Sequence, residues 1–420
     1  MAARKNKKRG FLFVSKVLGK HIPVSPYTPL LTGAALACRY MEAAYGKEIP
    51  HVKEIIHGLI QDENAASIYQ KIRKNPLKLQ EPALFIGFAE TATALGHSVF
   101  DCFGGDAVYI HTTREQIPKL QTAICFEEEH SHATTHRCYP ADQDMFSNSH
   151  PIILIDDEIT TGKTALNIIE AIQKKYPRKE YGLISILDWR SEEDRQRFIE
   201  KEKELGIKIH TAALLGGSIA VEGSPIVEME TIQDIEDILH AGEQEVAVTC
   251  LEPEEFDYPI IPFCSIDLGG MENVSPYLQL TGRFGISDTE KGKIDLMAAR
   301  VGNFLKKKRQ GGPTLCLGTG EFMYLPMRIA AHMGDGVKYH STTRSPIHPY
   351  DHPEYGVQNA FIFDCPDDPQ IINYFYNIPQ GYYQDLFLFL ERKVEDHRLK
   401  PLYEALKKTG IPRIHMIIFA

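Results

Sequence analysis

A chain of 420 residues is long enough for two domains that each bury a core, and its apolar, charged and aromatic shares are those of an ordinary soluble globular protein. Acids outnumber bases 56 to 46, a net charge of −10, which disfavours a general nucleic-acid binder while leaving room for local basic patches. No apolar run approaches the length of a membrane span. Eight scattered cysteines (Cys38, Cys102, Cys125, Cys138, Cys250, Cys264, Cys316 and Cys365) form no C-x-x-C pair and read as reduced thiols of a cytoplasmic protein. The opening, Arg4 to Arg9 and then Phe11-Leu12-Phe13-Val14, has the beginnings of a signal peptide. Lys16 and Lys20 break the apolar run too early, however, and no small-residue cleavage site follows.

In chain order, residues 11–18 predict a strand or hairpin turning at Gly19, and 21–27 continue extended because a residue before proline avoids the helical region. Helical patterning covers 33–45 and 52–60. The hydrophobic run 83–88 stops at Ala89-Glu90-Thr91-Ala92-Thr93 and enters an Ala/Leu helix, a first strand–turn–helix unit. Residues 108–114 supply another strand, ending in Arg114. The stretch 126–150 has no periodicity and is long for a connection, which predicts a mobile loop over a site. Ile152-Ile153-Leu154-Ile155 reads as a strand buried on both faces, and an amphipathic helix covers 165–174. A strand at 183–187, a charged helix at 192–205 and a strand at 207–214 close the first half. Strands alternating with helices predict an α/β fold with a doubly wound, mostly parallel sheet.

The chemistry concentrates at Asp156-Asp157-Glu158-Ile159-Thr160-Thr161-Gly162-Lys163-Thr164. A strand, then paired acids, then a hydroxyl-and-glycine turn, then a helix builds an anion site at a helix N-terminus. Backbone N–H groups and threonine hydroxyls face one phosphate there, while the acids stand ready to accept from sugar hydroxyls. A Walker loop would need a further glycine five positions before Gly162, where Asp157 stands. The segment fits a ribose 5-phosphate better than a nucleoside triphosphate.

These residues resemble the phosphoribosyl-diphosphate signature of type I phosphoribosyltransferases: hydrophobics, two acids, two variable positions and Thr-Thr-Gly-x-Thr. The likeness extends outward. Residues 87–93 stand where that family carries its pyrophosphate loop, with Ala89, Glu90 and Thr91 at its centre. Arg114 matches the basic end of the following strand, 126–150 match the hood, and Ser25-Pro26-Tyr27 after a lysine-bearing hairpin is similar to the orotate branch. The whole chain resembles a two-part family of bacterial phosphoribosyltransferase-like proteins associated with tellurite-resistance gene clusters. The C-terminal part of that family is named for a motif that reads here Thr343-Arg344-Ser345-Pro346.

The resemblance implies displacement at the anomeric carbon of phosphoribosyl diphosphate by a nucleobase-like nitrogen, aided by Mg²⁺, in the synthesis of a nucleoside-like metabolite. It assigns Asp156 and Asp157 to the ribose hydroxyls and the metal's water shell, Arg114 to catalysis, and Thr160, Thr161, Gly162, Lys163 and Thr164 to the 5-phosphate. The pyrophosphate loop departs from the better-known branches in carrying Glu90 and no basic side chain, so Lys16, Lys20, Arg114 and Arg137 are candidates for the missing positive charge. The hood places His130, His132 and His136 among Glu127, Glu128 and Glu129, which suits either a metal site or an exposed polar loop.

The second half parallels the first. An acidic stretch around 243–255 marks a boundary between domains at 1–245 and 256–420. Val274-Ser275-Pro276-Tyr277 matches Val24-Ser25-Pro26-Tyr27. Residues 315–321 and 339–344 match 85–90 and 109–114, 386–392 match 184–190, and 410–415 match 206–210. This predicts a degenerate repeat of the fold. Where a second signature is expected, Phe361-Ile362-Phe363-Asp364-Cys365-Pro366-Asp367-Asp368 lacks the Thr-Gly-x-Thr sequence, and Pro366 removes a donor. The second domain then either supports the first, or uses Gly318, Gly320, Glu321, Ser341, Thr342 and Arg344 as a site of its own. Nearby His348, Asp351 and His352 read as polar loop residues.

Two functions compete: a phosphoribosyltransferase, and a non-catalytic sensor of phosphoribosyl diphosphate or nucleotides on the same fold. Retained acids and a long hood favour the enzyme. The missing loop lysine keeps the sensor in play. The expected partners are phosphoribosyl diphosphate and a base-like acceptor, in a homodimer or an intramolecular pseudo-dimer.

Overall fold

The computed structural model describes residues 1–4, 10–127, 135–220 and 244–419. A six-stranded and a five-stranded sheet carry the fold. Their strands, numbered in chain order, are β1 (Ala83–Gly87), β2 (Ala107–His111), β3 (Ile152–Ile159), β4 (Glu180–Asp188), β5 (Lys208–Gly216), β6 (Glu245–Leu251), β7 (Ile286–Ser287), β8 (Thr314–Gly318), β9 (Val337–Ser341), β10 (Asp385–Leu390) and β11 (Arg413–Phe419). The sheet orders are β5-β4-β3-β1-β2-β7 and β6-β11-β10-β8-β9. Every neighbouring pair is parallel except β7, which runs antiparallel to β2. The α/β class and the parallel-dominated sheet are as the strand–helix alternation predicts.

The strands form where apolar residues run unbroken. Ile152 to Ile155 in β3 and all of β1 are buried, as parallel strands covered on both faces require. Helices flank them. Leu166, Ile169 and Ile172 give Lys163–Lys175 one buried stripe. Glu192–Leu205 starts at a capping box between Ser191 and Asp194 and stops at Gly206, φ 63°. The first helix begins earlier than its pattern suggests, at Tyr27–Tyr45, and a helix over Ala65–Lys74 has no counterpart in the sequence reading.

Two compact units result, and neither is consecutive along the chain. The first comprises Tyr27–Ala220 and Gln279–Leu296; the second comprises Met1–Pro26, the described part of Val221–Leu278, and Met297–Ala420. In the first unit, Gln279–Leu296 closes the open edge of β2. Ile286 pairs with Tyr109 and Ser287 with Val108, and the His111 N–H donates to the Gly282 carbonyl at 3.1 Å. Lys291 then reaches the Phe100 carbonyl at 3.0 Å and that of Phe103, and Arg73 pairs with Asp295 at 2.8 Å.

In the second unit, Val24 and Tyr339 exchange both backbone hydrogen bonds, at 3.0 and 2.7 Å, on the outer side of β9. Ala2–Ala3 pairs antiparallel with Phe11–Leu12, and Ala2 and Leu12 pack with Ile347, Val357 and Tyr376. A larger core, including Leu388, Leu402 and Ile414, lies between that unit's sheet and its helix Asp396–Lys407.

Several expected correspondences are corrected by these placements. Residues 361–364 are not the second unit's counterpart of β3. They form the strand Ala360–Asp364 of a two-stranded hairpin with Ile372–Tyr376, outside the main sheet. The strand beside β8, in the position β3 holds beside β1, is β10, so 386–390 answers to β3 rather than to β4. Likewise β11 occupies the position of β4 rather than that of β5. Tyr277–Leu278 pairs with Ile260–Ile261, so 274–277 does not repeat the role of 24–27; Gly282 to Ser287 edges β2 as Gly19 to Val24 edges β9. The hood is also more regular than expected, since Ile124–Glu127 and Thr135–Cys138 pair antiparallel. Four-residue strands are too short to show a period.

Gly282 has φ 88°, and a Cβ there would lie 2.6 Å from Cε1 of Tyr109. Gly282→Val should therefore cost the first unit about 2–4 kcal/mol and lower its melting temperature by roughly 5–10 °C, read by thermal unfolding with Trp189 fluorescence as the probe.

Candidate functional site

Strand register decides which residues meet. Gly87 of β1 lies opposite Ile155 of β3 on one side and His111 of β2 on the other, while Ser185 of β4 lies opposite Asp156. The turn after Gly87, the carboxylates after Ile155 and the threonines after His111 therefore leave the first sheet at one end, side by side. Ligands of parallel α/β sheets are bound at that end.

The turn after β1 is stitched to its neighbours. Phe88 N–H donates to the Ile155 carbonyl at 3.1 Å, Ala89 N–H to Thr112 Oγ1 at 2.8 Å, and Thr112 N–H back to the Gly87 carbonyl at 2.9 Å. The Ala89–Glu90 peptide bond is cis, and Glu90 and Thr91 are buried. Thr112 Oγ1 also lies 3.0 Å from Nδ1 of His136, whose ring stacks on Phe126 at 5.1 Å between centroids. One hood histidine thus belongs to the wall of the site. His130 and His132, with Glu128 and Glu129, lie outside the described residues.

Asp156, Asp157 and Glu158 are half-buried at the end of β3, and the Asp157 N–H is held by Asp156 Oδ1 at 2.9 Å. Thr160, Thr161, Gly162 and Thr164 are half-buried as well, and Lys163 is exposed. Gly162, φ 73°, is the N-cap of helix Lys163–Lys175, and Thr161 Oγ1 accepts from the Lys163 N–H at 3.4 Å. The helix start thus lies directly beside the threonine hydroxyls, the setting in which first-turn amides can take an anion.

What seats this loop was not evident from the signature. A Cβ on Gly162 would fall 2.5 Å from Cε2 of Phe198 and 3.3 Å from Cδ of Arg190, so the chain lies directly on those two side chains. The Arg190 guanidinium covers the Phe198 ring at 4.3 Å. Arg190 donates from Nε and Nη2 to the two Asp188 oxygens at 3.0 and 2.8 Å, and Arg195 adds a contact at 3.1 Å. Burial alone would raise the Asp188 carboxyl; the hydrogen bonds and charge of Arg190, with Arg195, hold it below its ordinary value instead.

Positive charge also comes from an unexpected place. Arg114, half-buried, follows β2. Arg137 exchanges backbone hydrogen bonds with Thr113 at 2.8 and 2.9 Å. Arg283, only 2 % exposed, donates to Thr113 Oγ1 at 2.7 Å and meets Glu115 at 3.0 Å. Sequence reasoning missed Arg283 because it lies far along the chain in the other half. The one available signal was the shared Gly-basic pair, Gly19-Lys20 and Gly282-Arg283. Lys16 and Lys20, also candidates for that charge, belong with Met1–Pro26 to the second unit.

Among the described residues no cluster of three or more His, Cys, Asp or Glu has the arrangement of a metal cage. Two adjacent half-buried carboxylates suit a hard cation that keeps water and substrate oxygens as its other ligands, which is the habit of Mg²⁺.

The second unit brings its own candidates together at the corresponding sheet end. Gly320 N–H donates to Thr342 Oγ1 at 2.9 Å, and Thr342 N–H to the Gly318 carbonyl at 2.9 Å. Glu321 and Arg344 are half-buried, and Ser341 Oγ donates to the Gly19 carbonyl at 3.3 Å. His352 Nδ1 accepts from the Glu354 N–H at 3.2 Å, in keeping with a polar loop.

A family model described as phosphoribosyl transferase matches residues 1–218, and a model described as the TRSP domain C-terminal to that family matches residues 280–406. Among solved structures, the chain is similar to adenine phosphoribosyl transferase from Trypanosoma brucei, at 18 % identity over 41 % of this chain and 77 % of that one, TM-score 0.26. It is similar to the Giardia lamblia adenine enzyme at 14 % identity over 38 % and 86 %, TM-score 0.25. It is similar to a hypoxanthine phosphoribosyltransferase from Staphylococcus aureus at 10 % identity over 41 % and 70 %, TM-score 0.22. No curated protein matches the chain.

Replacing Arg190 should unseat the loop. Arg190→Met leaves the buried Asp188 carboxylate with the backbone N–H of residue 190 and Arg195, and should cost roughly 3 kcal/mol at neutral pH. Because the Asp188 pKa is lowered on folding, its contribution is full above the unfolded carboxylate value, about 3.9, and is lost as pH falls through the folded value. Thermal scans from pH 7 to pH 3 should show the gap between wild type and variant narrowing with acid.

Proposed function

From the premise that the chain belongs to the phosphoribosyl transferase family, we propose that its first unit binds phosphoribosyl diphosphate and catalyses exchange at the anomeric carbon. The C1–O bond to diphosphate breaks, a C1–N bond to a nucleobase-like acceptor forms, and the acceptor nitrogen gives its proton to solvent; the reverse reaction uses the same groups. One observation carries this reading: two carboxylates and a glycine-started helix leave the same sheet end beside a threonine-bound turn.

In this reading Asp156 and Asp157 hold the ribose hydroxyls and the water shell of Mg²⁺, which supplies charge neutralisation for the departing diphosphate. Thr160, Thr161, Lys163 and Thr164 hold the 5-phosphate, with Gly162 allowing close approach. Ala89, Glu90 and Thr91 line the diphosphate turn. Arg114 and Arg283 stand at the end of β2, where they offset the leaving group's charge. The acceptor, a base-like heterocycle, docks on the hood side of Thr112.

The second unit is, in our reading, a degenerate repeat of the first. In sequence terms the two modules run over 1–245 and 256–420, and the likeness of β8–β9–β10 to β1–β2–β3 in order and direction supports that descent. Eight free cysteines favour a reducing compartment such as the cytoplasm. No described helix is long and apolar enough to cross a membrane.

Phosphoribosyl diphosphate with Mg²⁺ should raise the melting temperature by several degrees; at 100 times its Kd it adds about 2.7 kcal/mol. Asp157→Asn should weaken this at least about tenfold, the effect of about 1.4 kcal/mol. No shift with wild type would sink the ligand-binding reading. Stabilisation without diphosphate release across a panel of bases would identify a sensor in place of a transferase.

A further inference from the structure

The second unit repeats, bond for bond, the frame that supports the turn beside β2. The Gly320 N–H to Thr342 Oγ1 bond answers to that from Ala89 to Thr112, and the Thr342-to-Gly318 bond to that from Thr112 to Gly87. Thr343 donates to the Tyr374 carbonyl at 2.8 Å as Thr113 does to the Arg137 carbonyl. Ser345 N–H reaches Thr343 Oγ1 at 3.2 Å as Glu115 N–H reaches Thr113 Oγ1 at 3.1 Å. Both frames end in Thr-Thr-Arg, and both turns carry a glutamate, Glu90 and Glu321.

Each frame also receives a basic residue from the segment along its outer strand. A Cβ on Gly19 would lie 2.7 Å from the Tyr339 ring, as one on Gly282 would lie 2.6 Å from the Tyr109 ring. The residues that follow, Lys20 and Arg283, are therefore delivered to matching places, and both are buried, at 9 % and 2 % exposure. Beside Lys20, His21 is 6 % exposed, and among the described residues neither of its ring nitrogens has a hydrogen-bond partner. Burial, then the charges of Lys20, His340 and Arg4, push its pKa well down, so the ring is neutral and its N–H remains available to an acceptor in basic surroundings. An anion satisfies both conditions.

The other half of the crevice differs. Gly318 lies opposite Phe389 as Gly87 lies opposite Ile155, so Leu390, Glu391 and Arg392 stand where Asp156, Asp157 and Glu158 do. No Thr-Gly turn follows them. Arg392, 3 % exposed, reaches Ser265 Oγ and Asp367 Oδ1, the latter at 3.3 Å, with its guanidinium 4.1 Å over the Tyr277 ring. Arg398 donates to the Asp367 carbonyl at 3.4 Å and pairs with Asp267 at 2.9 Å. A carboxylate of the chain itself already faces the buried guanidinium at this position.

We propose that the second unit holds a binding site for a compact polyanion of the inorganic diphosphate class, built from Gly320, Glu321, Thr342 and Arg344 with the incoming Lys20 and His21. Ribose 5-phosphate is excluded because Arg392 and Asp367 fill the space it needs. The choice of diphosphate rests on the reading of the first unit, whose matching frame faces that group of its substrate. The site makes diphosphate, free or released by the first unit, a ligand of the chain in its own right.

Calorimetric titration of the full chain with inorganic diphosphate and Mg²⁺ tests this. Two diphosphates should bind per chain. Arg344→Gln and Lys20→Met should each weaken one of them about tenfold or more, the size expected for losing a charge-assisted hydrogen bond, and Arg283→Gln should weaken the other. Arg344 is half-exposed, so its variant remains informative if the Lys20 variant misfolds. Phosphoribosyl diphosphate should bind once, and ADP in a parallel titration separates a free diphosphate from one carried on a nucleoside. A single diphosphate per chain, lost in Arg283→Gln and unmoved in Arg344→Gln, overturns the proposal, as do two equivalents of phosphoribosyl diphosphate. Failure of phosphoribosyl diphosphate to bind at all counts against the first-unit reading, while the diphosphate count still judges this one.

Discussion

Everything at the candidate site depends on how β3 is held. It lies inside its sheet, hydrogen-bonded to β1 and β4, and its first four residues are buried. Such a strand has no freedom of register, because a shift by one residue would turn every side chain to the opposite face. Where the apolar run stops, β1 has also ended, at Gly87 opposite Ile155, so Asp156 and Asp157 stand beyond β1 while β3 stays paired with β4. The placement of the carboxylates thus follows from the burial of four aliphatic side chains rather than from any contact the carboxylates make.

A second constraint acts on the loop that follows. The helix start can present its amides only if the chain turns sharply and lies close to the layer beneath. Gly162 meets both needs, having a positive φ and no Cβ to collide with Phe198 and Arg190. The Asp188–Arg190 pair keeps that layer rigid, since a bidentate guanidinium over an aromatic ring has few alternative arrangements. The loop's shape is therefore fixed from below by residues that reach no ligand.

The signature was legible because it is local: a strand, a turn and a helix start within a dozen residues, each with its own physical signal. The turn at 87–91 and the strand ending in Arg114 were legible for the same reason. What closes the sheet edges was not. β7 is two residues long, and its register to β2 joins Ile286 to Tyr109 across about two-fifths of the chain's length, so no periodicity announces it. Arg283 was missed with it, and Lys20 belongs to the second unit. The second half misled in another way. Both 360–364 and 385–390 are short apolar runs that end in acid-bearing segments. Composition cannot tell a sheet strand from a hairpin arm; only the pairing of β10 with β8 does.

The two sheet ends also differ in a way that hydrogen-bond accounting makes plain. After β3 the chain offers threonine hydroxyls and a glycine-started helix, beside carboxylates that remain half-open to water. After β10 it offers a guanidinium already bonded to Ser265 and Asp367 and packed on Tyr277. The same strand order therefore ends in half-buried carboxylates and a glycine-started helix in one unit and in a buried, internally paired guanidinium in the other, and that difference lies in a few residues after one strand.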